Sequence, residues 1–341
     1  MHMSKIINKI GVIGAGAWGT ALAMTAQRAG RDVIIHAHES DVANTINQVH
    51  ENTFFLPGVQ INKEIRATTD LKKIALCDAI FLAMPAQFMR TVTSGMTTCW
   101  QAEVPAVICA KGIEQKTGSL LSEIVSQTLP GIPLAVLSGP TFAVEVAKGL
   151  PTAVTLASKS VDALTALSKA ITTPTFRAYK SDDVVGVELC GAIKNVLAIG
   201  CGIIEGRKLG DNARAAFITR GLAEITRLAR AKGANTRTML GLSGLGDITL
   251  TCNAFQSRNF SLGVALGEGH DLDKILAMRS TVAEGVFTAS SVVLLAKTLK
   301  IDTPLCAAMD NILNKNVDID KTIEELLARP VGDEYPLEQK L

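Results

Sequence analysis

In the first half of the chain, apolar residues fall into short runs separated by stretches with helical spacing. Runs at Lys9–Ile13, 32–37, 78–84, 105–110 and 134–137 read as strands, and 152–157 and 176–179 add two more. Residues 17–29 read as a helix that stops near Gly30. Strands alternating with helices predict a mostly parallel sheet covered on both faces. After about residue 184 the strand pattern fades. Residues 212–232 place Phe217, Leu222, Ile225 and Leu228 at helical spacings before Gly233, a stop signal. Residues 259–266, 285–299 and 305–313 read as further helices. The expectation is an α/β unit over residues 1–190 and an all-α unit over 191–341. A chain of 341 residues is long for one domain, which agrees with two.

Residues 184–204 are long and apolar enough to span a bilayer. Lys194 sits mid-segment, however, and Gly186, Gly191, Gly200 and Gly202 interrupt the run. A lysine at mid-membrane is costly, so a helix buried in the protein core is expected, with no integral membrane segment.

Composition narrows the function classes. The net charge of +2 and 4% aromatic content give no footprint for nucleic acid. The seven cysteines are odd in number and have no C-x-x-C spacing, so neither a disulfide framework nor a zinc or other metal site is expected. A reducing compartment follows. Residues 1–10 show no apolar core of a secretory leader, so the expected location is the cytoplasm.

The most informative motif is Gly14-x-Gly16-x-x-Gly19, which follows the first strand and opens the first helix. In that context it is the dinucleotide loop of a Rossmann-type, doubly wound domain. Gly14 allows the tight turn, Gly16 lets backbone approach a pyrophosphate, and Gly19 lets helix and strand pack closely. Phosphate then meets free amides at the helix N-terminus. Trp18 lies in the loop, where packing and cofactor contact are both open. The second strand ends in Ile35-His36-Ala37-His38-Glu39, with no carboxylate at the strand end proper. NADP or NAD is expected, with NADPH favoured, because a 2′-phosphate meets no acid there. His36 and His38 read equally as surface residues just past the strand.

Chemistry is expected where strands end. Lys111 closes the fourth strand and is followed by Gly112; it reads as a crevice lysine or a solvated one. Ser138-Gly139-Pro140-Thr141 ends the fifth strand and is expected to start a helix through Phe142 and Ala143, offering free amides and a hydroxyl. Lys194 lies in a helix that is apolar nearly all round. An ammonium there needs a partner or an anion, and burial lowers its pKa toward acid/base work. Its candidate partners are Glu188 and Asp247. Gly244-Leu245-Gly246-Asp247 presents a carboxylate on a tight backbone. Ser257-Arg258-Asn259, just before a helix, forms a phosphate site or an N-cap with a surface arginine. Glu284 reaches the cofactor or is an ordinary carboxylate in the first turn of a helix.

Taken in order, GAGAWGTALA, HENTFFLPG, AKGIE, LSGPTFAVEVAKGLPTAV, GAIKNVLAIG, DNARAAFITRGLAE, GLGDITLTC, QSRN and VAEGV resemble the bacterial NAD(P)-dependent glycerol-3-phosphate dehydrogenases over nearly the whole chain. The resemblance implies reduction of dihydroxyacetone phosphate to sn-glycerol 3-phosphate, a supply for glycerophospholipid biosynthesis. It implies Lys194 as acid/base, with Lys111 and Asp247 beside it. Substrate would meet Lys111, Gly139, Thr141, Lys194, Asp247, Ser257, Arg258 and Asn259. Cofactor would meet Gly14, Gly16, Ala17, Trp18, Gly19, His38, Lys111, Ala143, Arg258, Val282 and Glu284. Similar members often carry Ser where this chain has Ala17, so only a backbone contact survives there. A homodimer is expected from the resemblance and the apolar helical surface. Two other readings remain: a β-hydroxyacid dehydrogenase of the 6-phosphogluconate type, and a non-catalytic NAD(P)-sensing module. UDP-sugar dehydrogenation would need a nucleophilic cysteine, for which Cys252 reads more simply as an inert buried thiol.

Overall fold

A computed structural model describes residues 6–278 and 283–334. Ten strands are present among them: β1 Lys9–Ile13, β2 Asp32–His36, β3 Glu51–Asn52, β4 Leu56–Gln60, β5 Arg66–Thr68, β6 Ala79–Leu82, β7 Ala106–Ile108, β8 Leu134–Ser138, β9 Thr152–Ser158 and β10 Phe176–Ser181. Eight form one sheet in the order β10-β9-β8-β7-β6-β1-β2-β5, and β3 pairs with β4 in a separate ribbon. Every pairing in the large sheet is parallel except β8 with β9.

Each parallel strand alternates its side chains between two cores. Val12, Ile35, Phe81 and Val107 face one apolar cluster, which the helix Ala17–Arg28 covers. Ile13, Ile80, Leu82 and Ile108 face the other, under the helices Met89–Gly95 and Leu121–Thr128. Near-continuous apolar strands are what a sheet buried on both sides requires.

Register aligns the functional ends. Ile13 is level with His36 on one side and Leu82 on the other. Leu82 is level with Ile108, and Ile108 with Val136. The segments after these residues therefore share the carboxyl edge of the sheet. They carry Gly14, His38, Met84, Lys111 and Gly139. Between β1 and β6 the chain order reverses, which opens a crevice at that edge.

The helix Val184–Gly206 runs between two further apolar clusters. Leu189, Ile193 and Leu197 face one, and Val196, Ile199 and Ile203 face the other. It is long and apolar enough to cross a membrane, but 94% of its most apolar window is buried inside the protein. That accounts for a helix apolar on every side in a chain folded around it. The division expected at 190/191 falls inside this unbroken helix. The helix Arg258–Gly267 crosses it closely: a Cβ on Gly263 would lie 2.0 Å from the Ile199 carbonyl.

The expected strands and helices are all present, with ends shifted by a few residues. Among the elements not read from the sequence are β5 and the β3–β4 ribbon, which are short, and the tight backbone expected at Gly244–Asp247 proves to be part of a π-helical turn over Leu242–Gly246. One expectation is corrected. The helix after β8 starts only at Ala143 and has five residues, because Gly139 takes a φ of +156° and Pro140 follows it.

Candidate active site

Two of the three loop glycines are packed against their surroundings and the third is open. Gly14 has φ +109°, and a Cβ there would sit 2.6 Å from the Met84 amide nitrogen at the end of β6. A Cβ on Gly19 would lie 1.8 Å from the Gly14 carbonyl oxygen. At Gly16 a Cβ would meet nothing within 4 Å, so this position faces open space. The loop thus has a packed back and an open front, beside the N-terminus of a 12-residue helix. This is the cradle a pyrophosphate needs, and the residues present fit a dinucleotide. Ala17, Trp18 and Ala143 line the same region against the first core, and the Trp18 indole donates to the Cys109 carbonyl at 3.1 Å.

The two histidines part company. His36 is buried at the end of β2, where burial holds its pKa down and a bond to the Thr69 backbone offsets part of that. His38 is exposed beyond the strand, next to Glu39, which caps the helix Ser40–Gln48 through backbone alone.

Around Lys194 the structure builds an ion cluster. Asp247 is fully buried and lies between two lysines. Its Oδ1 accepts from Lys194 Nζ at 2.6 Å, and its Oδ2 accepts from Lys111 Nζ at 2.7 Å. Lys194 also donates to Thr251 Oγ1 at 2.8 Å, and Lys111 to the Gly139 carbonyl at 3.1 Å. The Thr141 hydroxyl donates to that same carbonyl at 3.2 Å. One carboxylate against two ammonium groups leaves a net positive centre. Burial lowers the Lys194 ammonium from its ordinary 10.5 to about 8; Asp247 opposes this and the Lys111 charge adds to it. Glu188, the other candidate partner, instead accepts from the Ser122 amide at 2.9 Å.

Elsewhere on the rim, Ser257 accepts from the Phe260 amide at 3.3 Å and so caps the helix Arg258–Gly267. Asn259 is spanned by the protein: it donates to Asn195 Oδ1 at 3.0 Å and accepts from the Gly285 amide at 3.2 Å. Arg258 is exposed and lies within electrostatic reach of Glu284. Burial pushes the Glu284 carboxyl up to about 7, against the pull of the Ala86 amide, which donates to its Oε1 at 3.1 Å. Its Oε2 is buried without a protein partner, as is Ser138 Oγ below Gly191. Buried polar atoms left open on a crevice wall mark places where bound groups or water complete the bonding. Val282 lies outside the described residues. Cys252 is buried, and its neighbour Cys201 and that burial push its thiol well up, which is the state of an inert thiol rather than a nucleophile.

Thr251 and Asn195 are site residues that the sequence did not single out. Thr251 stands one helical turn after Asp247 and Asn195 directly after Lys194, so proximity to those two was the available signal.

Comparison with known proteins decides the family. Residues 9–164 match the model described as NAD-dependent glycerol-3-phosphate dehydrogenase N-terminus, and residues 183–324 match the corresponding C-terminus. The chain belongs to the NAD-dependent glycerol-3-phosphate dehydrogenase family. Among relatives, the glycerol-3-phosphate dehydrogenase (NAD(P)+) of Rhodospirillum rubrum is 54% identical, covering 99% of this chain and 97% of that one. The enzyme of the same name from Parvibaculum lavamentivorans is 50% identical, covering 97% and 100%. The crystal structure of a glycerol-3-phosphate dehydrogenase from Coxiella burnetii superposes with a TM-score of 0.91 at 40% identity, covering 95% and 99%. The protein is an oxidoreductase of the nicotinamide-dependent class.

Proposed function

We propose that this chain reduces dihydroxyacetone phosphate to sn-glycerol 3-phosphate, with Lys194 as the proton donor. The observation that carries the reading is the buried Lys194–Asp247–Lys111 cluster beside the glycine loop. Bound NADPH or NADH would supply the hydride. The carbonyl oxygen of the ketone gains negative charge as the hydride arrives. A cationic Lys194 at that oxygen stabilises the charge and then gives up its proton. An ammonium titrating near 8 does both at neutral pH: it is charged, and it releases the proton readily. Asp247 fixes both lysines by opposite oxygens, and Thr251 fixes Lys194 from a third direction. Neutralising Lys194 does not empty the site of cations, because Lys111 remains.

Arg258, with Ser257 and Asn259 at the start of a ten-residue helix, would hold the phosphate. Grip on that remote dianion orients the carbonyl for reaction. Gly14, Gly16, Ala17, Trp18 and Gly19 would carry the pyrophosphate end of the cofactor, and Ala143 and Glu284 would flank it. Exposed His38, beside a helix N-terminus that has no side-chain cap and with no acid at the strand end, supports a preference for NADPH. In this reading residues 1–190 serve the cofactor and 191–341 the substrate, and the product enters glycerophospholipid synthesis. The free thiols suit the cytoplasm, and the assembly is a homodimer, which sedimentation tests.

A substrate panel tests the proposal. Cofactor oxidation is expected with dihydroxyacetone phosphate and not with unphosphorylated dihydroxyacetone or a β-keto acid. Turnover of the keto acid alone would favour the β-hydroxyacid reading. Cofactor binding with no turnover of any of them would favour a sensor.

A further inference from the structure

The β3–β4 ribbon places one residue against the glycine loop. Asn52 is fully buried, and its amide is fully engaged. It donates to the Ala15 carbonyl at 2.7 Å and to Thr20 Oγ1 at 2.9 Å, and it accepts from the Phe55 amide at 3.1 Å. Ala15 lies between the first two loop glycines, and Thr20 lies in the first turn of the helix that follows. The bridge thus spans from the turn to the helix it opens.

In a trans peptide the carbonyl and the next amide point in opposite directions. Holding the Ala15 carbonyl toward Asn52 therefore aims the Gly16 amide the other way, away from the β3–β4 ribbon. Without that hold, the Ala15–Gly16 peptide can rotate, because a glycine on one side resists little. The other braces of the loop act elsewhere: the Gly14 amide donates to the His36 carbonyl at 3.1 Å, and the Thr20 amide to the Gly16 carbonyl at 3.0 Å. None of these sets the plane of the Ala15–Gly16 peptide.

We propose that Asn52 is a positioning residue for cofactor binding, which pre-aims the Gly16 amide at the pyrophosphate by holding the Ala15 carbonyl. This rests on the reading of the loop as the pyrophosphate site. Asn52 touches no reacting atom, so its loss acts on cofactor affinity and leaves the chemical step alone once cofactor is saturating.

The test compares Asn52→Asp and Thr20→Val with wild type. Asn52→Asp keeps the shape and the acceptor for Phe55 but removes both donors. Thr20→Val removes only the helix end of the bridge. Dissociation constants are measured by calorimetry for NADPH and for ADP-ribose, which carries the pyrophosphate without nicotinamide. Turnover is measured at saturating cofactor, and melting temperature in the absence of ligand. For Asn52→Asp the affinity for both ligands is expected to fall about tenfold, as for loss of one charge-assisted bond. Saturated turnover stays within about twofold, since no group that meets the reacting atoms has changed. For Thr20→Val both affinities stay near wild type, although the melting temperature falls. Wild-type affinity in Asn52→Asp, or equal loss in Thr20→Val, overturns the proposal, since either makes the bridge a matter of packing alone. Should Asn52→Asp not fold, the Ala15–Gly16 peptide in a wild-type crystal with bound ADP-ribose decides it: the Gly16 amide must meet a phosphate oxygen. If wild type binds neither NADPH nor ADP-ribose, the pyrophosphate reading of the loop fails instead.

Discussion

Asp247→Asn is the most exacting substitution for the ion cluster. Asparagine keeps the shape and one acceptor but removes the charge shared by Lys194 and Lys111. At these spacings each contact is worth about 6 kcal/mol at an effective dielectric of about 20, before desolvation is counted. Loss of one partner from a buried pair costs about 3–5 kcal/mol if both lysines keep their protons. The protein has a cheaper route. Lys194 already titrates near 8, and removing the carboxylate lowers it further, so Lys194 sheds its proton near neutrality. We therefore expect a stability loss of about 2–4 kcal/mol, less than the full uncompensated charge. The catalytic loss is larger, because a neutral amine neither stabilises the developing oxyanion nor has a readily given proton. Turnover should fall by about a thousandfold or more. The falling limb of the pH profile for reduction should move to lower pH. The assay follows nicotinamide absorbance with dihydroxyacetone phosphate across pH, beside thermal melts. Turnover within about tenfold of wild type and an unchanged profile would refute the reasoning, since Asp247 would then hold neither the position nor the protonation of Lys194.

Other outcomes follow from the same geometry. In wild type, kcat/KM for ketone reduction should fall as pH rises through about 8, where Lys194 loses its proton, while kcat/KM for the reverse oxidation should rise through the same range. Opposite limbs in initial-rate profiles check the sign. Gly14→Ala must adopt φ +109° and place a Cβ 2.6 Å from the Met84 nitrogen, so a loss of about 2–4 kcal/mol and of measurable cofactor binding is expected by denaturation and calorimetry. Cys252→Ala should keep turnover within about threefold, whereas a thiol that formed a covalent intermediate would cost several powers of ten.

Much of the site was legible in the chain because its signals are local. A glycine pattern between strand and helix fixes a loop geometry, and a lysine in an all-apolar helix announces a buried charge. Gly244 to Asp247 announced a tight backbone, although not that it is a π-helical turn. What the sequence withheld depends on contacts between distant segments. Asp247 was a candidate partner for Lys194, 53 residues away, but that its other oxygen also takes Lys111, across 136 residues, has no local trace. Asn52 meets Ala15 across 37 residues from a strand of only two. The three-residue β5 was too short for any periodicity to register. His36 and His38 read alike in sequence, and only the end of β2 turns one inward and leaves the other outside.

The central claim is that Lys194 is the group that protonates the reduced ketone. Its most direct test is single-turnover reduction of dihydroxyacetone phosphate by Lys194→Ala, with NADPH affinity measured on the same protein. Cofactor binding within about threefold of wild type and hydride transfer slowed by at least about a thousandfold are expected. Restoration of part of the rate by added methylammonium would fit the same role. Near-wild-type transfer in Lys194→Ala would contradict it and move the proton donor to another group.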